Sequence, residues 1–159
     1  MTTIATILLS YNRPRMLCEA LGTVNGCDQL IVTDDGSDFD VQDLVRSCYP
    51  DARFVTAPKM TTPQRLKTAR LGALINRALS LVDCDVVTYL CDADLFHPHW
   101  LPTVRAYFDA EPDQHWTRGA WYAFAEEDVE RTPTRCKLDG RQLTTGNFAH
   151  RITCFREEK

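Results

Sequence analysis

One stretch, residues 86–95 with the sequence VVTYLCDADL, restricts the fold of this chain more than any other. It begins with β-branched and aromatic residues, as buried strands do, and two carboxylates one residue apart, Asp92 and Asp94, follow at once. In a mostly parallel sheet, ligands bind outside the carboxyl ends of the strands. The stretch therefore predicts a buried strand that ends at a cation site, with a helix cap or a simple turn as the structural alternative.

The chemistry of the side chains favours a hard cation at this position. Carboxylate oxygens suit Mg²⁺ or Mn²⁺ and suit Zn²⁺ poorly. The seven cysteines are scattered and form no CxxC pair, which favours reduced thiols over a zinc site or a disulfide framework. The net charge of −4 shows no overall basic footprint for a polyanion. Mn²⁺ or Mg²⁺ is therefore the predicted cofactor.

The chain before this strand alternates between strand patterns and amphipathic helix patterns. Strands are predicted at residues 4–9, 29–33 and 53–56, and helices at 16–24, 41–48 and 64–81. The second strand ends in Asp34-Asp35-Gly36-Ser37, again with acidic residues at a carboxyl end. Three successive strand and helix units imply an α/β fold with a mostly parallel sheet and right-handed crossovers.

The length and composition indicate one domain with a substantial core. The chain has 159 residues, of which 44% are hydrophobic, and no apolar run is long enough to span a bilayer. The N-terminal apolar run lacks the basic flank and cleavage site of a signal peptide, so we expect a cytoplasmic protein. After Asp94 a helix is predicted at 98–108, and residues 116–124 and 144–155 are interpreted as strands although neither shows a clean period.

Four segments together resemble the family 2 glycosyltransferases, and within them the spore-coat polysaccharide type. They are SYN at 10–12, DDGS at 34–37, RLKTARLGALINRAL at 65–79 and TYLCDAD at 88–94. The resemblance implies the GT-A fold, a nucleotide-binding α/β/α sandwich, and transfer of a sugar from a nucleoside diphosphate donor with a divalent metal. It implies a donor-binding core at 1–101 and a short C-terminal part at 102–159, in which the acceptor half is minimal or missing.

The same resemblance implies which residues bind the donor. Tyr11 is expected to pack against the nucleobase, Asp35 to accept a hydrogen bond from a uracil edge, and Arg65 to approach the base. Leu9 belongs to the same donor-binding set. Arg70 lies five positions beyond Arg65, so on one helix the two should not share a face, and Arg70 is assigned to pairing with a carboxylate or phosphate. The structural alternatives are a core tyrosine, a simple Asp-Gly turn and a solvated basic helix face.

At the metal, the resemblance implies that Asp92 meets the ribose or the metal and that Asp94 is the direct ligand. Inverting members of this family also carry, in a later half, a carboxylate that deprotonates the attacking hydroxyl. Here the candidates for that base are Glu126, Glu127 and Asp128, unless a partner supplies it or the mechanism is retaining. A solvated acidic loop is the structural alternative for this cluster.

Two functions of different class remain open from the residues. The first is a metal-dependent glycosyltransferase that uses a UDP-linked sugar. The second is a nucleotide-sugar binding module without turnover, completed by a partner. A nucleotidyltransferase would need a glycine-rich phosphate loop after the first strand, and SYNRPR has no glycine. The sequence leaves the acceptor open among a glycan, a protein, a lipid-linked sugar and modified DNA. It also leaves open whether the protein is a homo-oligomer.

Overall fold

The protein is described by a computed structural model that covers residues 1–67, 70–119, 122–123, 134–135 and 148–156. Helices and strands alternate through the first two thirds of the chain. In chain order the elements are β1 Ile4–Ser10, α1 Pro14–Leu21, β2 Gln29–Asp34, α2 Val41–Arg46, β3 Arg53–Thr56, α3 Thr62–Leu66, α4 Arg70–Leu79, β4 Val86–Cys91, α5 Trp100–Ala110, β5 Trp116–Arg118, β6 Tyr122–Ala123, β7 Thr134–Arg135, β8 Phe148–Arg151 and α6 Thr153–Arg156.

A six-stranded, mostly parallel sheet organises these elements. Its strand order is β3-β2-β1-β4-β8-β5, and β6 pairs with β7 in a separate two-stranded ribbon. The strands β3, β2, β1 and β4 run parallel, whereas β8 is antiparallel to both β4 and β5. The chain adds β2 and β3 on one side of β1 and then places β4 on the other side. The predicted α/β class is confirmed, and the order reverses between β1 and β4.

Side-chain alternation along β1 explains why helices cover both faces of the sheet. All seven residues of β1 are buried. Ile4 and Leu8 belong to a core that α1, α2 and α5 also line, while Ile7 and Leu9 belong to a second core that includes Leu74 of α4. A strand that is apolar on both faces requires cover on both sides, which is typical of parallel sheets.

The helix predicted at 64–81 differs in the structure. The segment α3 ends at Leu66, where the Lys67 amide donates to the Gln64 carbonyl at 3.2 Å, and α4 begins at Arg70. Residues 68 and 69 between them lie outside the described part of the chain. Thr61 determines where α3 begins, because its amide donates to Gln64 Oε1 at 3.0 Å. The predicted single helix over 64–81 is therefore described as two helical segments, Thr62–Leu66 and Arg70–Leu79.

The C-terminal segments contribute to the same sheet as the first half of the chain. The strand β8 pairs with β4, and β5 pairs with β8. Strands were predicted at 116–124 and 144–155, but β5 ends at Arg118 and β8 ends at Arg151. The division into a core at 1–101 and a remainder at 102–159 stays a prediction, as does the count of one domain. No helix in the described ranges combines the length and the apolar character that a membrane crossing needs.

Candidate functional site

Three loops meet at the carboxyl edge of the sheet, where the strand order reverses. Ser10 is level with Asp34 across β1 and β2, and Leu9 is level with Cys91 across β1 and β4. The hydrogen bonding continues one residue beyond the strands, since the Asp35 amide donates to the Ser10 carbonyl at 3.0 Å and the Asp92 amide to the Leu9 carbonyl at 2.9 Å. Such a reversal point is where open α/β sheets bind ligands.

Asp92 is buried beneath this edge and holds the loop after β1. It is 4% exposed. Its Oδ2 accepts the Tyr11 amide at 2.8 Å, and its Oδ1 accepts Arg13 Nη1 at 3.1 Å. Asp92 thus ties β4 to the loop that carries Tyr11. Arg13 was not among the predicted site residues, although it is a basic residue directly after the SYN segment.

Asp94 lies two residues further on and is exposed. Its amide donates to the Cys91 carbonyl at 3.0 Å, so the chain turns here as soon as β4 ends. Partial burial of its carboxyl group and then the negative charge of Asp92 raise the pKa of Asp94, while Arg13 acts in the opposite direction. No described residue donates a hydrogen bond to the Asp94 carboxylate, which leaves its oxygens available to a cation.

The donor set fits a hard cation that takes most of its ligands from elsewhere. Across the described ranges, no three residues among the histidines, cysteines, aspartates and glutamates are grouped closely enough to hold a metal. Among the described residues, the Asp92 and Asp94 carboxylates are the candidate ligands on the protein side. Mg²⁺ characteristically binds through one or two carboxylates, with substrate phosphates and water completing an octahedron.

Asp35 is the centre of a second charged cluster, formed with two arginines. Arg65 Nη2 lies 2.5 Å from Asp35 Oδ2, and Arg70 Nε lies 2.7 Å from Asp35 Oδ1. Arg70 also donates to the Pro58 carbonyl at 2.8 Å, and its buried Nη1 has no hydrogen-bond partner within the described part of the chain. The expectation that the two arginines diverge was based on a single helix. Both reach Asp35 because they belong to separate helical segments.

Arg65 also covers the ring of Tyr11. Its guanidinium carbon lies 3.2 Å from the ring centroid, a cation–π contact. One face of Tyr11 and both carboxylate oxygens of Asp35 are therefore engaged within the protein. A nucleobase that contacts this cluster must use the remaining face of Tyr11 or displace Arg65.

The loops after β1, β2 and β3 are locked together by residues whose roles the sequence did not reveal. Asn12 has a φ of 52°, its amide donates to Ser37 Oγ at 3.0 Å, and its side chain exchanges hydrogen bonds with Asp38 at 2.7 and 3.0 Å. Gly36 has a φ of +82°, and a Cβ there would lie 2.8 Å from the Pro58 carbonyl oxygen. This explains why asparagine and glycine occupy these positions in the SYN and DDGS segments.

The remaining predicted residues are placed differently. Leu9 is 5% exposed and its side chain lies in the core, so its contact with the site is the hydrogen bond that its carbonyl accepts from the Asp92 amide. Glu126, Glu127 and Asp128 lie outside the described residues. A concavity of about 500 Å³ lined by Asp28, Arg53 and Asp83 lies at the opposite, amino edge of the sheet, away from the acidic loops.

Comparison with curated proteins identifies sequence relatives of the chain, among them a protein of Bacillus subtilis. The chain is 32% identical to protein CgeD of Bacillus subtilis (strain 168) over 115 residues, which are 69% of this chain and 27% of that protein. The chain thus spans about a quarter of the length of this relative. No protein-family model matches the chain.

Solved structures with the same fold include two that hold ligands. S. aureus TarS 1–349 in complex with UDP superposes with a TM-score of 0.65 at 15% identity, over 98% of this chain and 48% of that one. Glucosyl-3-phosphoglycerate synthase from Mycobacterium tuberculosis, in complex with Mn²⁺, UDP-glucose and phosphoglyceric acid, has a TM-score of 0.63 at 16% identity, over 96% of this chain and 57% of that one. The chain therefore has the GT-A fold and spans about half of these structures.

Proposed function

We propose that this chain is the donor-binding part of a metal-dependent glycosyltransferase that uses a UDP-linked sugar. The observation that carries the proposal is the convergence of Tyr11, Asp35 and the Asp92 and Asp94 pair at the reversal point of the sheet. The complexes of TarS with UDP and of the mycobacterial synthase with Mn²⁺ and UDP-glucose support it, since both proteins share the fold. Family 2 membership, and its spore-coat branch, rest on the sequence resemblance.

At the metal end, Asp94 with Asp92 would hold Mn²⁺ or Mg²⁺. When bound, such an ion neutralises the charge that develops on a diphosphate leaving group. The chain prepares this position in two ways. The Asp92 carboxylate is fixed by the Tyr11 amide, and Asp94 projects from the turn after β4 with no donor from the described residues. A fixed carboxylate beside a solvent-facing one suits an ion that arrives with the donor.

At the nucleoside end, the Tyr11 ring and the Asp35 carboxylate are the groups we assign to the base. Arg65 and Arg70 orient Asp35 by holding both of its oxygens. A carboxylate has about four lone-pair sites, so Asp35 retains acceptor capacity for one more donor, such as a ring N–H. The arginines thereby make this acceptor a rigid one.

The need for a base at the acceptor end comes from the resemblance, and the acidic cluster at 126–128 is the candidate for it in this sequence. We propose an inverting transfer in which Glu126, Glu127 or Asp128 deprotonates the attacking hydroxyl. An inverting reaction needs such a base within hydrogen-bond reach of the acceptor. The fold does not specify the acceptor, and the cytoplasmic location and homo-oligomeric state likewise stay predictions.

Donor binding is tested by thermal unfolding with UDP, UDP-glucose, UDP-N-acetylglucosamine and GDP-mannose, each with Mn²⁺ or with excess chelator. A ligand that binds only the native state raises its stability by mass action. We expect stabilisation by the uridine compounds in Mn²⁺, lost in chelator and in Asp94→Asn. Asp113→Asn, an exposed aspartate in the loop after α5, is the control. Equal stabilisation in chelator would overturn the metal dependence.

Turnover separates a transferase from a binding module. Release of free sugar from the bound donor, followed by chromatography, is expected to be slow and Mn²⁺-dependent because water replaces the acceptor. Changing Glu126, Glu127 and Asp128 together to Gln, Gln and Asn should reduce transfer much more than UDP binding. Tight UDP-sugar binding without any release would identify a module without turnover.

A further inference from the structure

Arg13 contacts Asp92, one of the two predicted metal-binding carboxylates, and the proposed function gives Arg13 no role. Its backbone caps α1, since the Leu17 amide donates to the Arg13 carbonyl at 2.9 Å and Pro14 begins the helix. Its guanidinium reaches across the sheet edge to Asp92 Oδ1 at 3.1 Å. The backbone of Arg13 is thus anchored, while its long side chain forms the contact.

The two partners in this ion pair differ in their exposure and in their other contacts. The Asp92 side chain is 5% exposed, and its other oxygen is held by the Tyr11 amide at 2.8 Å. The Arg13 side chain is 56% exposed, and its contact with Asp92 is its only hydrogen bond to a described residue. If the pair opens, Arg13 is therefore the partner that moves.

Arg13 offsets one of the two negative charges that Asp92 and Asp94 place at this point. Asp94 lies two residues beyond Asp92, in the turn that its amide closes onto the Cys91 carbonyl at 3.0 Å, so the two carboxylates follow the same strand end. A divalent cation bound to the same carboxylates would repel the guanidinium. A displaced guanidinium beside a metal-bound diphosphate has a matching partner, because its planar fork fits phosphate oxygens.

We infer that Arg13 is the counter-ion of the Asp92 and Asp94 pair in the metal-free protein and transfers to the donor diphosphate when a divalent cation replaces it. This inference deepens the proposed function and rests on it. Metal binding and nucleotide binding are then coupled through one side chain. Metal alone must displace Arg13 without compensation, whereas metal with diphosphate gives Arg13 a new partner.

The test compares Arg13→Gln with the unchanged protein in two binding measurements. Mn²⁺ binding without nucleotide is followed by the electron paramagnetic resonance signal of free Mn²⁺, and UDP binding at saturating Mn²⁺ by calorimetry. We expect Mn²⁺ alone to bind about two to five times more tightly in Arg13→Gln, which is the factor for an exposed ion pair. We expect UDP to bind about tenfold more weakly, as for the loss of one charge-assisted hydrogen bond.

Opposite signs in the two measurements separate this role from a structural one, which would weaken both. Arg15→Gln is the matched control, because it removes the same charge two residues away, where Arg15 lies 3.6 Å from Glu19. It should alter neither affinity. Arg13→Lys keeps the charge and is the variant to use if Arg13→Gln does not fold. Its Mn²⁺ affinity should be near that of the unchanged protein, and its loss of UDP affinity should be smaller than that of Arg13→Gln.

Unchanged or weaker Mn²⁺ binding in Arg13→Gln would overturn the counter-ion role. Unchanged UDP affinity would overturn the transfer to the diphosphate. If the unchanged protein binds no UDP in Mn²⁺, the proposed function fails and the transfer fails with it. The Mn²⁺ measurement without nucleotide still decides the counter-ion role in that case, so the two failures are distinguishable.

Discussion

Arg70 and Asp35 form a partly buried ion pair, with 2.7 Å between Arg70 Nε and Asp35 Oδ1 and side chains that are 8% and 18% exposed. Arg65 engages the other carboxylate oxygen and also covers Tyr11. A buried guanidinium is costly unless it is paired. The group assigned to base recognition is therefore also a structural group, and substitutions there affect stability and binding together.

Asp35→Ala is accordingly expected to destabilise the fold as well as weaken UDP binding. Removing the carboxylate leaves Arg70 buried without its partner, which should lower the free energy of unfolding by about 3 kcal/mol. Urea denaturation measures this. Asp113→Ala, an exposed aspartate, is the control and should change stability by less than about 0.5 kcal/mol. Equal stability of Asp35→Ala and Asp113→Ala would show that the buried Arg70 guanidinium does not depend on the Asp35 carboxylate.

The two aspartates after β4 should respond differently to substitution. Asp92→Ala leaves the Tyr11 amide and Arg13 without an acceptor, so we expect a loss of about 1–3 kcal/mol in urea denaturation. Asp94→Ala removes an exposed carboxyl with no donor from the described residues and should leave the fold intact. It should nevertheless abolish Mn²⁺-dependent UDP binding. Strong destabilisation by Asp94→Ala would show that the fold depends on this carboxylate although the residue is exposed.

Gly36 is expected to tolerate no side chain. Its φ of +82° disfavours an L residue, and an added Cβ would lie 2.8 Å from the Pro58 carbonyl oxygen. Gly36→Ala should therefore cost roughly 1–3 kcal/mol and disturb the Asp35 loop. Gly72→Ala is a matched control in α4, because nothing lies within 4 Å of an added Cβ there. That change should stabilise by about 0.5–1 kcal/mol.

His150 should make stability pH-dependent below neutrality. Its Nε2 lies 2.8 Å from Tyr89 Oη, and burial lowers its pKa below the usual 6.5. The unfolded chain then binds the proton more readily, so stability is complete above pH 6.5 and falls as the pH drops from there towards the lowered pKa. Urea denaturation midpoints measured at a series of pH values below 6.5 should fall as the pH is lowered. In His150→Gln the midpoints should no longer show this dependence. An unchanged slope in the variant would assign the effect to another group.

The alternation of strand and helix patterns was sufficient to predict the parallel part of the sheet. Apolar runs of strand length ending in turn residues specify β1, β2 and β4, and parallel strands place their carboxyl ends at one edge. This explains why Tyr11, Asp35 and Asp92 could be expected together from sequence. The position of β8 between β4 and β5 could not be predicted, because Phe148–Arg151 is short and pairs with β4 residues that lie 61 to 65 positions earlier.

The sequence by itself determined which chemical groups follow the strands of this protein and at which edge they meet, because periodicity and turn chemistry are local properties of the chain. Only the tertiary structure decided their partners: Arg13 with Asp92, and Arg65 and Arg70 both with Asp35. Those pairings depend on where α3 ends and on which loops touch. Such contacts join residues 30 to 79 positions apart, and no local pattern encodes them.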